Sequence, residues 1–170
     1  MSRFDGKLAV ISGGASGMGA LTARKFVEEG GSVIIIDVNQ TDGEKVASDI
    51  GDNCEFFKVD VTKEEGWNSL QEYLGERFYK ITTVVNAAGI SEPGTIEDET
   101  LEHWNRVHAI NGTSVFLGCQ FAVKAMKETE GTIINFSSSL ATRPKPFVLS
   151  YNYSKAGVLS ITRTVALHCA

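Results

Sequence analysis

The chain has 170 residues with 42% hydrophobic and 22% charged side chains, which suits one soluble globular domain with a sizeable buried core. Its 16 basic residues against 21 acidic ones leave a net charge of -5, and no basic tract is present to neutralise phosphates, so nucleic acid is not an expected partner. The apolar runs fall well short of the ~20 residues that span a bilayer, the start of the chain has no signal-peptide pattern, and no membrane association is expected.

Apolar periodicity predicts alternating strands and helices. Leu8 to Ser12 reads as a buried strand, and Gly17 to Glu29 as a helix with Leu21, Ala23, Phe26 and Val27 on one side. Val33 to Asp37 is a second strand, Thr41 to Ile50 a helix, and Glu55 to Val59 a third strand. A helix from Lys63 to Phe78 precedes a strand from Ile81 to Asn86. After a loop with Pro93 and Gly94 comes a long helix, roughly Leu101 to Glu128, then a strand from Thr132 to Ser137 and a helix from Ser150 onward. Strands alternating with helices of this length imply βαβ units, and continuous apolar strands imply a parallel sheet covered on both faces. The predicted fold is α/β, a doubly wound parallel sheet of the Rossmann type.

Cys54, Cys119 and Cys169 are odd in number and widely spaced. They form neither a disulfide framework nor a metal-binding pattern, so no metal is expected and a reducing, cytoplasmic setting fits. His103, His108 and His168 show no ligand-like clustering and read as surface or packing residues. Trp104, Val107, Ile110 and Phe116 form an apolar stripe, read as core or subunit interface rather than as a cofactor contact.

Two stretches carry chemistry. Gly13, Gly17 and Gly19 lie directly after the first strand and open the first helix. A sharp strand-to-helix turn presents free N–H groups and the positive helix end, and a pyrophosphate can approach them where side chains do not intervene. Such a loop could also be a plain tight turn. Its position, and Asp37 at the end of the second strand 18 residues past Gly19, favour a dinucleotide. An acid at that place hydrogen-bonds the adenosine ribose and disfavours a 2′-phosphate. No Arg or Lys in the loop or just after Asp37 compensates, so NAD is favoured over NADP.

The second stretch is Tyr151-Asn152-Tyr153-Ser154-Lys155. Tyr151 and Lys155 are four residues apart and share a helix face. A phenol is a poor base at neutral pH, but a nearby ammonium favours the phenolate and lets it act as general acid or base. Tyr153 has Gly157 at the corresponding position and cannot do this. Among Ser137, Ser138 and Ser139, the spacing of 13 residues to Tyr151 selects Ser138, whose hydroxyl could hold a substrate oxygen.

With these motifs in order, the chain resembles the short-chain dehydrogenase/reductase family, in its single-domain branch of about 250 residues. Ser12-Gly13-Gly14-Ala15-Ser16-Gly17-Met18-Gly19 resembles the family's TGxxxGxG, with Ser12 in place of Thr. Asp60-Val61 resembles the pair that contacts adenine, and Asn86-Ala87-Ala88-Gly89 the NNAG strand end, with Ala87 in place of the second Asn. Asn111 stands where the family carries its catalytic Asn, and Ser138, Tyr151 and Lys155 match its Ser and Tyr-x-x-x-Lys.

The resemblance implies a sheet of order 3-2-1-4-5 and an NAD-dependent exchange between a secondary alcohol and a ketone. Catalysis would fall to Ser138, Tyr151, Lys155 and Asn111, with Asn111 holding a water in a proton relay to Lys155. Gly13, Ser16, Gly17, Met18, Gly19, Asp37, Val38, Asp60, Val61, Asn86, Ala88, Gly89, Tyr151 and Lys155 would contact the cofactor. Ser138 and Tyr151 would contact the substrate, near Ile90, Ser91, Leu140, Arg143 and Phe147.

A homotetramer or homodimer is implied, built on the helices of Asn111 and Tyr151. Family members run on for about 80 residues past Ala170. Residues 1–170 are therefore expected to form one NAD(P)-binding domain without its last third, weakly active or inactive alone. A nucleotide-binding module without turnover is the alternative. A dehalogenating relative would carry Arg at position 155 and lack the glycine pattern.

Overall fold

The computed structural model describes residues 2–77 and 79–170. Five strands form one parallel sheet: β1 Leu8–Ser12, β2 Ser32–Asp37, β3 Cys54–Lys58, β4 Thr83–Asn86 and β5 Thr132–Asn135. Their order is β3-β2-β1-β4-β5, as predicted. The helices are α1 Gly17–Glu28, α2 Gln40–Ile50, α3 Glu64–Glu76, α4 Leu101–His108, α5 Ser114–Ala125 and α6 Leu149–His168.

Strand periodicity divides the core in two, because successive side chains point to opposite faces. Val10, Ile34, Ile36 and Val84 pack with Trp67, Leu70, Leu117 and Phe121 beneath α3 and α5. Ala9, Ile11, Val33, Ile35 and Val85 pack with Ala23 and Phe26 of α1 on the other face. The register is continuous across the middle of the sheet, with Val10 opposite both Ile34 and Val84. Every strand therefore ends its carboxyl terminus along one crevice, the place where open parallel sheets bind ligands. A third, smaller cluster of Val115, Cys119 and Val158 docks α6 on α5.

Element ends differ from expectation by a few residues, and local caps explain some of them. Asn39 accepts a bond from the Asp42 amide and so starts α2 at Gln40, before the predicted Thr41. Thr100 caps α4 in the same way through the His103 amide. The predicted end of the third helix at Phe78 lies outside the described residues.

The long helix predicted from Leu101 to Glu128 is corrected: it is α4, a π-helical turn at Ala109–Thr113, and α5, which ends at Ala125. A π turn adds a residue to the helical circuit and so rotates α5 relative to α4 by about 100°. The stripe of Trp104, Val107, Ile110 and Phe116 does not stay on one face. Val107 is fully buried, whereas Phe116 is 49% exposed.

Leu70 is fully buried in the larger core cluster. Leu70→Ala is expected to cost about 2–5 kcal/mol, read as a lower urea midpoint at unchanged slope.

Candidate active site

The crevice begins at the junction of β1 and β4. Ser12 is buried and its Oγ accepts the backbone N–H groups of Ala87 (3.1 Å) and Ala88 (3.2 Å). This single hydroxyl fixes the strand end of β4 against the glycine loop. The two backbones then approach so closely that a Cβ on Gly13, which has φ +67°, would sit 2.9 Å from Ala88 Cα. A Cβ on Gly19 would sit 2.2 Å from the Gly13 carbonyl oxygen. These glycines are required by the packing of the loop itself.

The loop then opens α1. Ser16 occupies its N-cap in extended conformation without a side-chain bond, and the first turn holds no acidic residue. The amides and the positive helix end are left to an outside anion. Ser16, Gly17 and Met18 are exposed there.

A cleft of about 720 Å³ runs from this loop along the strand ends. Gly13, Ser16, Gly17, Met18, Gly19, Asp37, Val38, Asp60, Val61, Ala88 and Gly89 all line it, so eleven of the residues expected to contact a dinucleotide share one surface. Asp37 is held in place by two amides, Ala15 N–H to Oδ2 (3.2 Å) and Asn39 N–H to Oδ1 (3.0 Å). Asp60 is braced by the Thr62 amide (3.0 Å) and hydroxyl (2.6 Å). The donor set fits a nicotinamide dinucleotide: open amides at a helix start, a fixed carboxylate at the far end, and apolar walls between.

Asn86 does not line the cleft. Its side chain is turned under the sheet, where Nδ2 donates to Asn135 Oδ1 at 2.8 Å, and it is 2% exposed. Ala109, Ile110 and Arg106 do line it, which sequence periodicity does not reveal. Periodicity puts Ile110 in the core-or-interface stripe, but it stands four residues after Arg106 on one helix face and lines the cleft beside it.

Two of the residues expected to be catalytic, Asn111 and Lys155, meet beside Gly89. Asn111 sits inside the π turn, fully buried, and its amide grips the backbone of Ile90: Oδ1 accepts from Ile90 N–H and Nδ2 donates to Ile90 C=O, both at 2.8 Å. Nδ2 also donates to Ser154 Oγ at 3.1 Å. Lys155 is 5% exposed, and its Nζ donates to the Phe136 carbonyl at 2.8 Å. A Cβ on Gly89 would meet both Asn111 Oδ1 and Lys155 Nζ at 3.3 Å, so these two lie just behind Gly89, which lines the cleft while they do not.

The ammonium also lies 5.7 Å from the centre of the Tyr151 ring. Burial pushes the Lys155 pKa below its ordinary value. Tyr151 is half-buried on the first turn of α6 and is not among the residues lining the dinucleotide cleft.

The three serines separate cleanly. Ser137 Oγ donates to the Lys155 carbonyl at 2.8 Å and braces α6. Ser138 caps a 3₁₀ turn at Ser139–Ala141, its Oγ accepting from Leu140 N–H at 3.1 Å, which leaves its own proton free to donate. Ser139 is exposed.

Comparison with known proteins gives the family. The short chain dehydrogenase family model matches residues 7–170. The chain belongs to the short-chain dehydrogenase family. Within it, the chain is 38% identical over 168 residues to 3-beta-hydroxysteroid dehydrogenase of Comamonas testosteroni, covering 99% of this chain and 66% of that protein. It is 38% identical to the NADP-dependent (R)-specific alcohol dehydrogenase of Lentilactobacillus kefiri, covering 99% and 68%.

Among solved structures, 3-ketoacyl-(acyl-carrier-protein) reductase from Brucella melitensis complexed with NADH superposes with a TM-score of 0.92 at 32% identity, covering 96% of this chain and 70% of that one. The chain thus spans about two thirds of the length of the relatives it matches.

The lowered pKa of Lys155 has a consequence for stability. A buried ammonium costs most where it is charged, so its penalty is present at neutral pH and fades as pH rises from the depressed native value toward the ordinary ~10.4. Lys155→Met is expected to gain more Tm over wild type at pH 7 than at pH 10 in thermal melts, the gain shrinking once pH exceeds the depressed native value.

Proposed function

We propose that this chain carries the cofactor-binding and proton-transfer parts of an NAD-dependent oxidoreductase that interconverts a secondary alcohol and a ketone. The observation that carries this reading is the convergence of Lys155 and Asn111 on Gly89, with Tyr151 beside the ammonium. The glycine loop and the start of α1 would hold the pyrophosphate, Asp37 the adenosine ribose, and Asp60 and Val61 the adenine side of the cleft. When bound, the nicotinamide supplies the acceptor or donor of the hydride.

The chain's own residues manage the proton. Tyr151 takes it from an alcohol or returns it to a ketone oxygen. The Lys155 ammonium beside the ring stabilises charge left on the phenol oxygen, and the Phe136 carbonyl holds that ammonium in place. Ser138 donates its free proton to the substrate oxygen as negative charge develops. Asn111 fixes the Ile90 backbone opposite Lys155 and serves the relay to it. Relatives named for a hydroxysteroid, an alcohol and a 3-ketoacyl group support a substrate with a carbinol or carbonyl carbon.

Asp37 supports NAD over NADP. Arg106 is the cation lining the cleft among the described residues, and it is paired with Glu92. Exposed Leu101, Phe116 and Tyr153 on α4, α5 and α6 support assembly into a homodimer or homotetramer through these helices. Free, buried Cys54 and Cys119 support a reducing, cytoplasmic setting. Residues 1–170 act as one NAD(P)-binding domain in this reading. That Tyr151 and Ser138 stand off the dinucleotide cleft favours a second reading, a nucleotide-binding module without turnover.

The deciding experiment is a panel of secondary alcohols with NAD or NADP on the complete gene product, followed at the nicotinamide absorbance. Tyr151→Phe is expected to lower turnover by at least about 10²-fold while nucleotide affinity stays within about two-fold. Nucleotide binding by the wild type with no turnover across the panel selects the second reading. Asp37→Ser is expected to raise the NADP-to-NAD ratio of kcat/KM by about ten-fold or more, and an unchanged ratio removes Asp37 as the discriminator.

A further inference from the structure

The loop between β4 and α4, with the first turns of α4, carries a group of charges that the proposed chemistry does not use. His103 stands between two carboxylates. Its Nδ1 bonds Glu99 Oε1, and its Nε2 lies 2.9 Å from Glu92 Oε2, an ion-pair approach rather than an aligned hydrogen bond. Arg106 pairs with the same Glu92 oxygen. Sequence alone makes this histidine a surface or packing residue, and the structure adds its two carboxylate partners.

Glu99 is the buried member. Its side chain is 6% exposed, and its second oxygen accepts the Ser150 hydroxyl at 2.5 Å. Ser150 is 1% exposed and immediately precedes Tyr151. Burial alone would raise the Glu99 pKa, yet bonds from the Ser150 hydroxyl, from His103 and from the Ser150 backbone outweigh it and hold the group below its ordinary value.

Helix α6 explains why such a bond is needed. Its N-cap is Val148, which offers no side-chain bond to the first turn. An ordinary helix of this kind would carry Ser, Thr, Asp or Asn there. The carboxylate of Glu99 comes instead from another element, at the positive end of the helix where an anion is favoured. The surrounding backbone makes room for it. A Cβ on Gly94 would lie 2.7 Å from Glu99 Oε2, and Gly94 pairs with the same segment through Phe147 C=O (3.0 Å) and Leu149 N–H (2.9 Å).

We propose that Glu99 is a positioning residue for Tyr151: by capping α6 through Ser150 it sets where the phenol stands relative to the cleft. The proposal rests on the reading of Tyr151 as the acid–base group. Displacement of such a group by about 1 Å can cost about 10²-fold in rate, so a loosened first turn is felt in turnover.

The test uses the complete gene product with Glu99→Ala, Glu99→Gln, Ser150→Ala and the Glu99→Ala/Ser150→Ala pair. The readouts are kcat, nucleotide affinity, and amide hydrogen exchange over residues 150–154. Glu99→Ala is expected to lower kcat by about ten-fold or more with nucleotide affinity within about two-fold, and to speed exchange in the first turn of α6 alone. Glu99→Gln keeps an acceptor for Ser150 and is expected to stay within about three-fold of wild type. The double variant is expected to be no worse than the poorer single, because both act through one bond.

Wild-type kcat and unchanged exchange in Glu99→Ala overturn the proposal. So do additive losses in the double variant, or a fall in kcat matched by weaker nucleotide binding and faster exchange throughout the sheet. Should Glu99→Ala not fold, Glu99→Gln and Ser150→Ala carry the same readouts. A wild-type protein without turnover defeats the reading of Tyr151, and exchange in α6 then still decides whether Glu99 holds the turn.

Discussion

Lys155 places a positive charge where water hardly reaches, and much of the site is arranged around that constraint. A buried ammonium needs an acceptor, and β5 supplies one by ending just where the Phe136 carbonyl can meet Nζ. Ser137, one residue further, bonds the Lys155 backbone in turn, so strand end and helix are tied in both directions. Opposite, past the β4 strand end, Gly89 packs closely on Asn111 and Lys155, which would have to shift by a few tenths of an ångström to admit a Cβ. The charge, the glycine and the amide are one packing solution reached by three elements.

A second constraint sits at the other end of the crevice. Ser12 draws the β4 strand end onto the glycine loop through two amides, and Gly13 permits the contact. Thr in the family pattern and Ser here share the hydroxyl that does this, so the replacement keeps the chemistry of the junction. The cleft is lined mainly by the loops and helix starts that follow these strand ends.

Much of this was legible in the sequence because it depends on local patterns. Runs such as Val33 to Asp37 give strands in any context, and Gly13, Gly17 and Gly19 mark a tight strand-to-helix turn. The Tyr151 and Lys155 spacing identified a shared helix face. The features that stayed hidden depend on contacts between distant segments. Asn86 matched a motif, but its side chain turns under the sheet to Asn135, a partner 49 residues away. Ile110 matched an apolar stripe, but with Arg106 it forms the helix face that meets the cleft, and only the packing of α4 over the strand ends shows that. His103 looked solitary because its partners Glu92 and Glu99 lie on an irregular loop whose course periodicity does not reveal.

The π turn at Ala109–Thr113 also bears on how this region tolerates change in length. A regular α-helix packs its backbone bonds better than a π turn does, so deletion of one residue from the segment would let α4 and α5 merge into a straighter rod. That shortened chain would gain helical regularity and lose the outward phase that puts Asn111 against Ile90. Insertions and deletions elsewhere on the surface are absorbed by loops, whereas here the register of the whole back wall is set by a count of residues, and a sturdier helix would be the poorer one.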